Sequence, residues 1–114
     1  MPRKELTLSG YQGMWLFAMF DLPVDTRKAR KRYAQFRKAL VRDGFSMLQY
    51  SVYARYCAGE DSAESQRRRV RTMLPPEGYV RLLAITDRQF GKMESYIGKS
   101  AERTEQPPAQ LQLF

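Results

Sequence analysis

From Met14 to Phe20 the chain is apolar without a break, and the run ends in one acidic residue, Asp21, followed by Leu22-Pro23. No other stretch limits the fold so tightly. A strand with one wet face alternates polar and apolar residues. A run of strand length that is apolar on both sides of the pleat needs cover on both, as at the centre of a sheet. Pro23 has no amide hydrogen to give a ladder, so the strand stops there. Asp21 is then at the carboxyl end of a central strand, the end that opens towards ligands in helix-covered sheets. A carboxylate in that place either caps the following turn or binds a hard cation through oxygen.

Residues 1–12 are polar and mixed, an expected flexible start. After the turn Leu22 to Thr26, with Asp25 as the expected N-cap, the spacing predicts a helix over 26–42. Ala29, Tyr33, Phe36 and Leu40 recur at steps of four, three and four, one narrow apolar stripe. Asp43-Gly44 ends that helix, with Gly44 as a left-handed cap. Residues 45–56 are aromatic and β-branched and read as extended, either one long strand or a tight pair. Gly59 to Ser62 breaks this segment, and Asp61 or Ser62 is expected to cap a second helix over 63–74, with Ala63, Val70 and Leu74 on one face and the stem of Arg67 along it. Pro75-Pro76-Glu77-Gly78 terminates it. A strand follows over 79–86, then a turn over 86–89, and a segment 90–97 that fits either a short helix or a strand. Residues 98–108 read as a polar linker, and the tail from Gln110 to Phe114 as an addition to a sheet edge, its own or a partner's. The expected domain is 1–98, with 99–114 as linker and tail.

This order is βαββαβ, an α+β fold: a ferredoxin-like sandwich with two helices on one face of an antiparallel sheet. A single domain of this size leaves nothing to cover the other face, which points to a homodimer joined through the sheets.

Charge narrows the function. There are 20 Lys plus Arg against 12 Asp plus Glu, a formal +8, and an excess of that size favours polyanionic partners, nucleic acid above all. Arg27, Lys28, Arg30, Lys31, Lys38 and Arg42 on the first helix could each meet a phosphate. The chain has no histidine and one cysteine, Cys57. That removes histidine-based triads and histidine metal ligands, and leaves oxygen-bound Mg²⁺ or Mn²⁺ as the metals to expect. It also removes internal disulfides, in keeping with a reducing cytoplasm. Cys57 reads as a small strand residue, and Tyr50, Tyr53 and Tyr56 as packing more than base stacking. No stretch reaches the ~18 apolar residues of a membrane helix, and the N-terminus does not read as a signal peptide. RNA-recognition strand motifs and Gly-rich phosphate loops are lacking. Asp21 beside a basic surface is what remains for chemistry. A two-fold axis close to it would bring two carboxylates together, and one Mg²⁺ would relieve their repulsion and could orient a water towards a phosphodiester.

Four segments occur in a telling order: Phe20-Asp21-Leu22-Pro23 at the end of the first strand, Gly44-Phe45 after a basic helix, Gln49-Tyr50-Ser51-Val52-Tyr53, and Ile85-Thr86-Asp87-Arg88-Gln89. Together they resemble the small CRISPR-associated protein two family, over about residues 13–98. The resemblance implies a ferredoxin-like homodimer in the bacterial cytoplasm. It implies that the dimer bridges two dimers of the CRISPR integrase, its larger partner, and holds a short DNA duplex for insertion as a new spacer. It also implies Mg²⁺-dependent endonuclease activity on RNA or duplex DNA, with Asp21 as metal ligand from each protomer and Asp21 and Ser51, the latter beside the dimer cleft, as the catalytic residues. Phe20 stands where the family often has tyrosine, and so lacks that hydroxyl. The tail from Leu111 would dock on the partner. Two other functions compete: a free-standing metal-dependent endoribonuclease or DNase of toxin type, and a dimeric regulator binding a small ligand, which the +8 charge disfavours.

Overall fold

The computed structural model describes residues 13–108; the expectations for residues 1–12 and for the tail from Gln110 to Phe114 lie outside the described residues. The elements are β1 (Met14–Asp21), α1 (Arg27–Arg42), β2 (Ser46–Gln49), β3 (Val52–Cys57), α2 (Glu60–Arg71), β4 (Tyr79–Thr86), α3 (Asp87–Gly91), β5 (Ser95–Ile97) and β6 (Ser100–Glu102). Four strands form one antiparallel sheet in the order β2-β3-β1-β4. Strand β1 is one of the two inner strands, with β3, as its unbroken apolar run requires. This is the α+β, ferredoxin-like arrangement.

The two faces of β1 carry different cores. Leu16, Ala18 and Phe20 point to one side and meet Phe36 and Leu40 of α1, Ala63 and Val70 of α2, and Tyr53 and Cys57 of β3. Trp15 and Phe17 point to the other side and pack with Ala54 and with Phe90 of α3. The indole of Trp15 lies flat on the Phe90 ring, centroids 4.0 Å apart, and its Nε1 donates to Asp87 Oδ1 at 2.7 Å. So the chain itself covers part of the second face, contrary to the expectation that nothing was left to do so. The β4 side of that face stays open: Leu83, paired with Phe17, and Tyr79, paired with Asp21, are both exposed.

Helix boundaries follow the backbone's unpaired amides. Thr26, not Asp25, caps α1: its Oγ1 accepts from Ala29 N at 3.0 Å, the amide three residues on. Both residues are good caps, and the one directly before the first helical residue takes the role. At the other end Gly44 (φ +97) follows Asp43, with Gly44 N donating to Val41 O and Phe45 N to Leu40 O, both at 3.0 Å. These paired bonds need a left-handed residue, which glycine supplies without a side-chain clash. Helix α2 begins three residues before its expected start. Gly59 precedes it in extended form without a side-chain cap, and Glu60 and Asp61 sit in its first turn, where the helix dipole favours them. It stops at Arg71, so Leu74 lies beyond it, exposed; the buried position on its face is Gln66 instead. Leu74 precedes Pro75, which disfavours helical backbone there.

Residues 45–56 are a tight pair of strands turning at Tyr50-Ser51. The expected turn at 86–89 is the start of α3: Thr86 Oγ1 accepts from Gln89 N at 3.0 Å and Gln89 Oε1 from Thr86 N at 2.9 Å. Segment 90–97 splits between helix and strand, and β6 forms inside the expected linker, pairing with β5 around Gly98-Lys99. Among the described residues no helix is long and apolar enough to cross a membrane.

Candidate carboxylate site and nucleic-acid interface

Asp21 closes β1 with an exposed side chain. It caps nothing: among the described residues no hydrogen bond or ion pair uses its carboxylate, and α1 is capped by Thr26. Its neighbours come from both flanking strands. On one side Tyr79 pairs with it directly, so the two side chains share a sheet face, and the Arg81 guanidinium lies 5.9 Å from the centre of the Tyr79 ring. Gly78 (φ +93) brings β4 in close; a Cβ there would lie 2.7 Å from the Asp21 carbonyl oxygen and from Leu22 Cδ2. Its positive φ and this close approach both require glycine.

On the other side lies the β2–β3 turn. Phe20 N donates to Ser51 O at 3.0 Å, and the Ser51 hydroxyl is 2.9 Å from the Tyr33 hydroxyl of α1. Ser51 has φ +64, a left-handed backbone that costs a residue with a Cβ free energy. Ser51 and Asp21 are thus brought to the same end of β1. No histidine base exists for Ser51, and its hydroxyl is engaged by Tyr33. The spacing of the sequence places Tyr33 only in the apolar stripe of α1; its tie to Ser51, 18 residues on, carries no local sequence signal.

The tyrosine cluster divides. Tyr53 is buried, Tyr56 is half-buried beneath the edge of Trp15, and Tyr50 is exposed. The packing expectation therefore holds for the first two and in part for Tyr50, which stacks on Tyr33 with its ring otherwise exposed. The Tyr33 hydroxyl beside it pushes the Tyr50 phenol above its ordinary range, so it stays neutral at neutral pH. Burial raises the Cys57 thiol, which with its enclosure makes it a core residue and not a nucleophile.

Arg27, Lys28, Arg30, Lys31, Lys38 and Arg42 are all exposed. At about 100° per residue, Arg27, Lys31, Lys38 and Arg42 fall within about 60° of one another, opposite the buried Ala29, Phe36 and Leu40. Lys28 and Arg30 flank that stripe. Arg30 donates to Val24 O at 3.1 Å. Among the described residues none of the six forms an ion pair: the acidic partners go to α2, where Glu64 meets Arg67, Arg68 and Arg71, and Asp43 meets Arg69. The helix has no acidic residue in its first turn either.

Among the described residues no group of three or more His, Cys, Asp or Glu converges. The exposed carboxylate at the end of β1 is that of Asp21. That ligand fits Mg²⁺ or Mn²⁺, hard ions that take oxygen ligands; Mg²⁺ commonly keeps several waters and uses one or two carboxylates.

Known proteins match the chain over most of its length. The family model described as CRISPR associated protein Cas2 matches residues 14–93, from the first residue of β1 to just past α3. A protein of Parvibaculum lavamentivorans named CRISPR-associated endoribonuclease Cas2 is 56% identical over 101 residues, covering 89% of this chain and 100% of the relative. Relatives with the same name occur in Flavobacterium psychrophilum, 47% identical over 94% of this chain and 93% of theirs, and in Ligilactobacillus salivarius, 45% identical over 80% and 97%. With the family model spanning the four-stranded sheet and all three helices, the chain belongs to the CRISPR associated protein Cas2 family.

Proposed function

We propose that the protein is a nucleic-acid-binding subunit of CRISPR spacer acquisition. It acts in the cytoplasm as a homodimer, bridges two dimers of the integrase, and holds duplex DNA against α1. The observation that carries this reading is the row of exposed cations on α1, without carboxylate partners among the described residues. A surface of that kind is costly to the isolated protein through self-repulsion and favourable against a row of phosphates. The open β4 side of the second sheet face, with Leu83 and Tyr79, supports a second copy of the chain as its cover.

Salt dependence tests the reading. Neutralising about six phosphates gives a slope near −5 for log affinity against log salt on duplex DNA. Changing Lys31, Lys38 and Arg42 to alanine together is expected to bring the slope to roughly −3, each cation removing about 0.9. Fluorescence anisotropy on a labelled duplex between 50 and 300 mM salt, on the order of the usual working range, measures both. A flat slope in the parent protein would end the phosphate-binding reading.

A second reading, Mg²⁺-dependent endonuclease, is favoured by Asp21 at the open end of β1 and by the endoribonuclease name of the relatives. Asp21 would hold the cation, one carboxylate from each protomer of the dimer. Bound there, the ion supplies charge neutralisation at a phosphodiester. The chain's own part is to present that carboxylate on a rigid central strand, fixed by Gly78 on one side and the Ser51–Tyr33 contact on the other.

A further inference from the structure

Tyr50 is the most exposed large apolar or aromatic side chain among the described residues, at 73%. It is not a loose ring. One face lies against Tyr33, with centroids 5.8 Å apart and planes 20° from parallel. The turn that carries it is fixed three times over: by the Phe20–Ser51 backbone bond, by the Ser51–Tyr33 hydroxyl contact, and by the Tyr33 ring packed on Phe20 at 5.8 Å. Ser51 holds a left-handed backbone to make that turn. A strained turn persists where its surroundings enforce it, and such turns gather at ligand sites. The result is a flat aromatic surface with one face backed and the other open.

Two exposed arginines share the side of α1 that carries Tyr33. Arg30 and Arg37 lie three residues before and four after Tyr33, hence on the same side of α1, and both are exposed. An open ring face with exposed arginines on the same side of the neighbouring helix suits a nucleobase with its phosphates: the base stacks on the ring and the arginines are within the same surface for the backbone. A base inside a duplex has both faces taken by its neighbours, so the ligand is an unpaired base.

We propose that the Tyr33–Tyr50 stack is a platform for one unpaired nucleobase, of RNA or DNA, set at the Asp21 end of β1 on the side of α1 that carries Tyr33, Arg30 and Arg37. The inference rests on the reading that this protein binds nucleic acid, and it assigns the part of that surface that reads a base and not a phosphate.

The test uses the full protein and three probes: a single-stranded RNA and a single-stranded DNA, each carrying one 2-aminopurine, and a duplex closed by hairpins at both ends. Stacking on an aromatic ring quenches 2-aminopurine, a signal that a merely structural role for Tyr50 would not change. The parent is expected to quench both single strands on binding. Tyr50→Ala is expected to bind them about tenfold more weakly, without quenching. Tyr50→Phe and Tyr50→Trp keep a ring and are expected to retain both affinity and quenching. The closed duplex is expected to bind all four proteins alike. Loss on only one of the two single strands would support the platform and assign it to that nucleic acid. Parent-like affinity and quenching in Tyr50→Ala would overturn it, as would a parent that binds the closed duplex and neither single strand. A parent that binds none of the probes would overturn the nucleic-acid reading as well.

Discussion

Asp21→Ala is expected to abolish Mg²⁺-dependent cleavage of RNA or duplex DNA, a rate loss of about 10³ or more, and to leave duplex affinity within about twofold of the parent. The size follows from the chemistry available. A cation at a phosphodiester contributes several kcal/mol of transition-state stabilisation, and every ~1.4 kcal/mol is tenfold in rate. No histidine exists to take over, and among the described residues no other cluster of metal ligands stands by. The fold should not suffer, because the carboxylate is exposed and holds no hydrogen bond among the described residues. Affinity should not fall either, since the change removes a negative charge from the side of a cationic protein. Labelled RNA and duplex, with Mg²⁺ and with chelator, measure both effects in one experiment. A variant that cuts at the parent rate would remove Asp21 from the chemistry. In cells, spacer acquisition is expected to persist in the variant; acquisition that needs the carboxylate would overturn the proposal that this subunit serves chiefly to bridge and hold.

Asp43→Ala carries the largest expected loss of stability, about 3 kcal/mol. Asp43 joins three elements at the end of α1. Its carboxylate accepts from Arg69 Nε at 3.0 and 3.1 Å and from the Gln66 amide, and its backbone carbonyl accepts from Arg55 Nη1 at 2.7 Å. Arg55 in turn donates to Gln66 Oε1. The exposed Arg69 is the lesser part of this sum, because a solvated cation loses little when its partner goes. Gln66 is the greater part: it is 5% exposed, and its amide would be left buried without an acceptor. Asp43→Asn keeps an oxygen for Gln66 and is expected to cost about 1 kcal/mol, chiefly the lost charge. Acid should reveal the same contact. The hydrogen bond from Arg69 holds the Asp43 carboxyl below its ordinary 3.8. A carboxyl with a lowered folded pKa stabilises the fold above its ordinary value and loses that contribution as pH falls through the folded one. Urea unfolding at pH 7 should therefore separate parent from Asp43→Asn, and the gap should narrow as pH drops below about 4. A gap independent of pH would mean that the charge of Asp43 contributes nothing.

Where the fold could be read in advance, a single residue type settled the backbone. The both-faced apolar run of β1 admits only a central strand, and Gly44 after Asp43 admits only a left-handed helix end. Elsewhere two adjacent residues competed for one role, as Asp25 and Thr26 did for the cap of α1, and composition could not choose between them. The turn at Tyr50-Ser51 was hidden for another reason: it is made by a serine at φ +64, with no glycine or proline to announce it. The start of α3 did carry a local signal, the reciprocal pair Thr86 and Gln89, three residues apart. In the candidate site, Asp21 could be placed because strand polarity is local. Tyr33 beside Ser51 and Tyr79 beside Asp21 could not, since each pair joins segments far apart in the chain.

Trp15 is the one tryptophan of the chain, and it sits on the sheet face that α1 and α2 do not touch. Its emission is therefore a private optical channel for the docking of α3, through the Phe90 stack and the Asp87 bond. Circular dichroism at helix wavelengths reports mostly the opposite face, where the two long helices lie. Recording both signals along one denaturant titration asks whether the two sides of β1 melt together. Superimposed curves would make the sheet a single cooperative unit. An earlier tryptophan transition would identify α3 as a separately opening flap, able to uncover Trp15 and Phe17 while the helical layer stays intact.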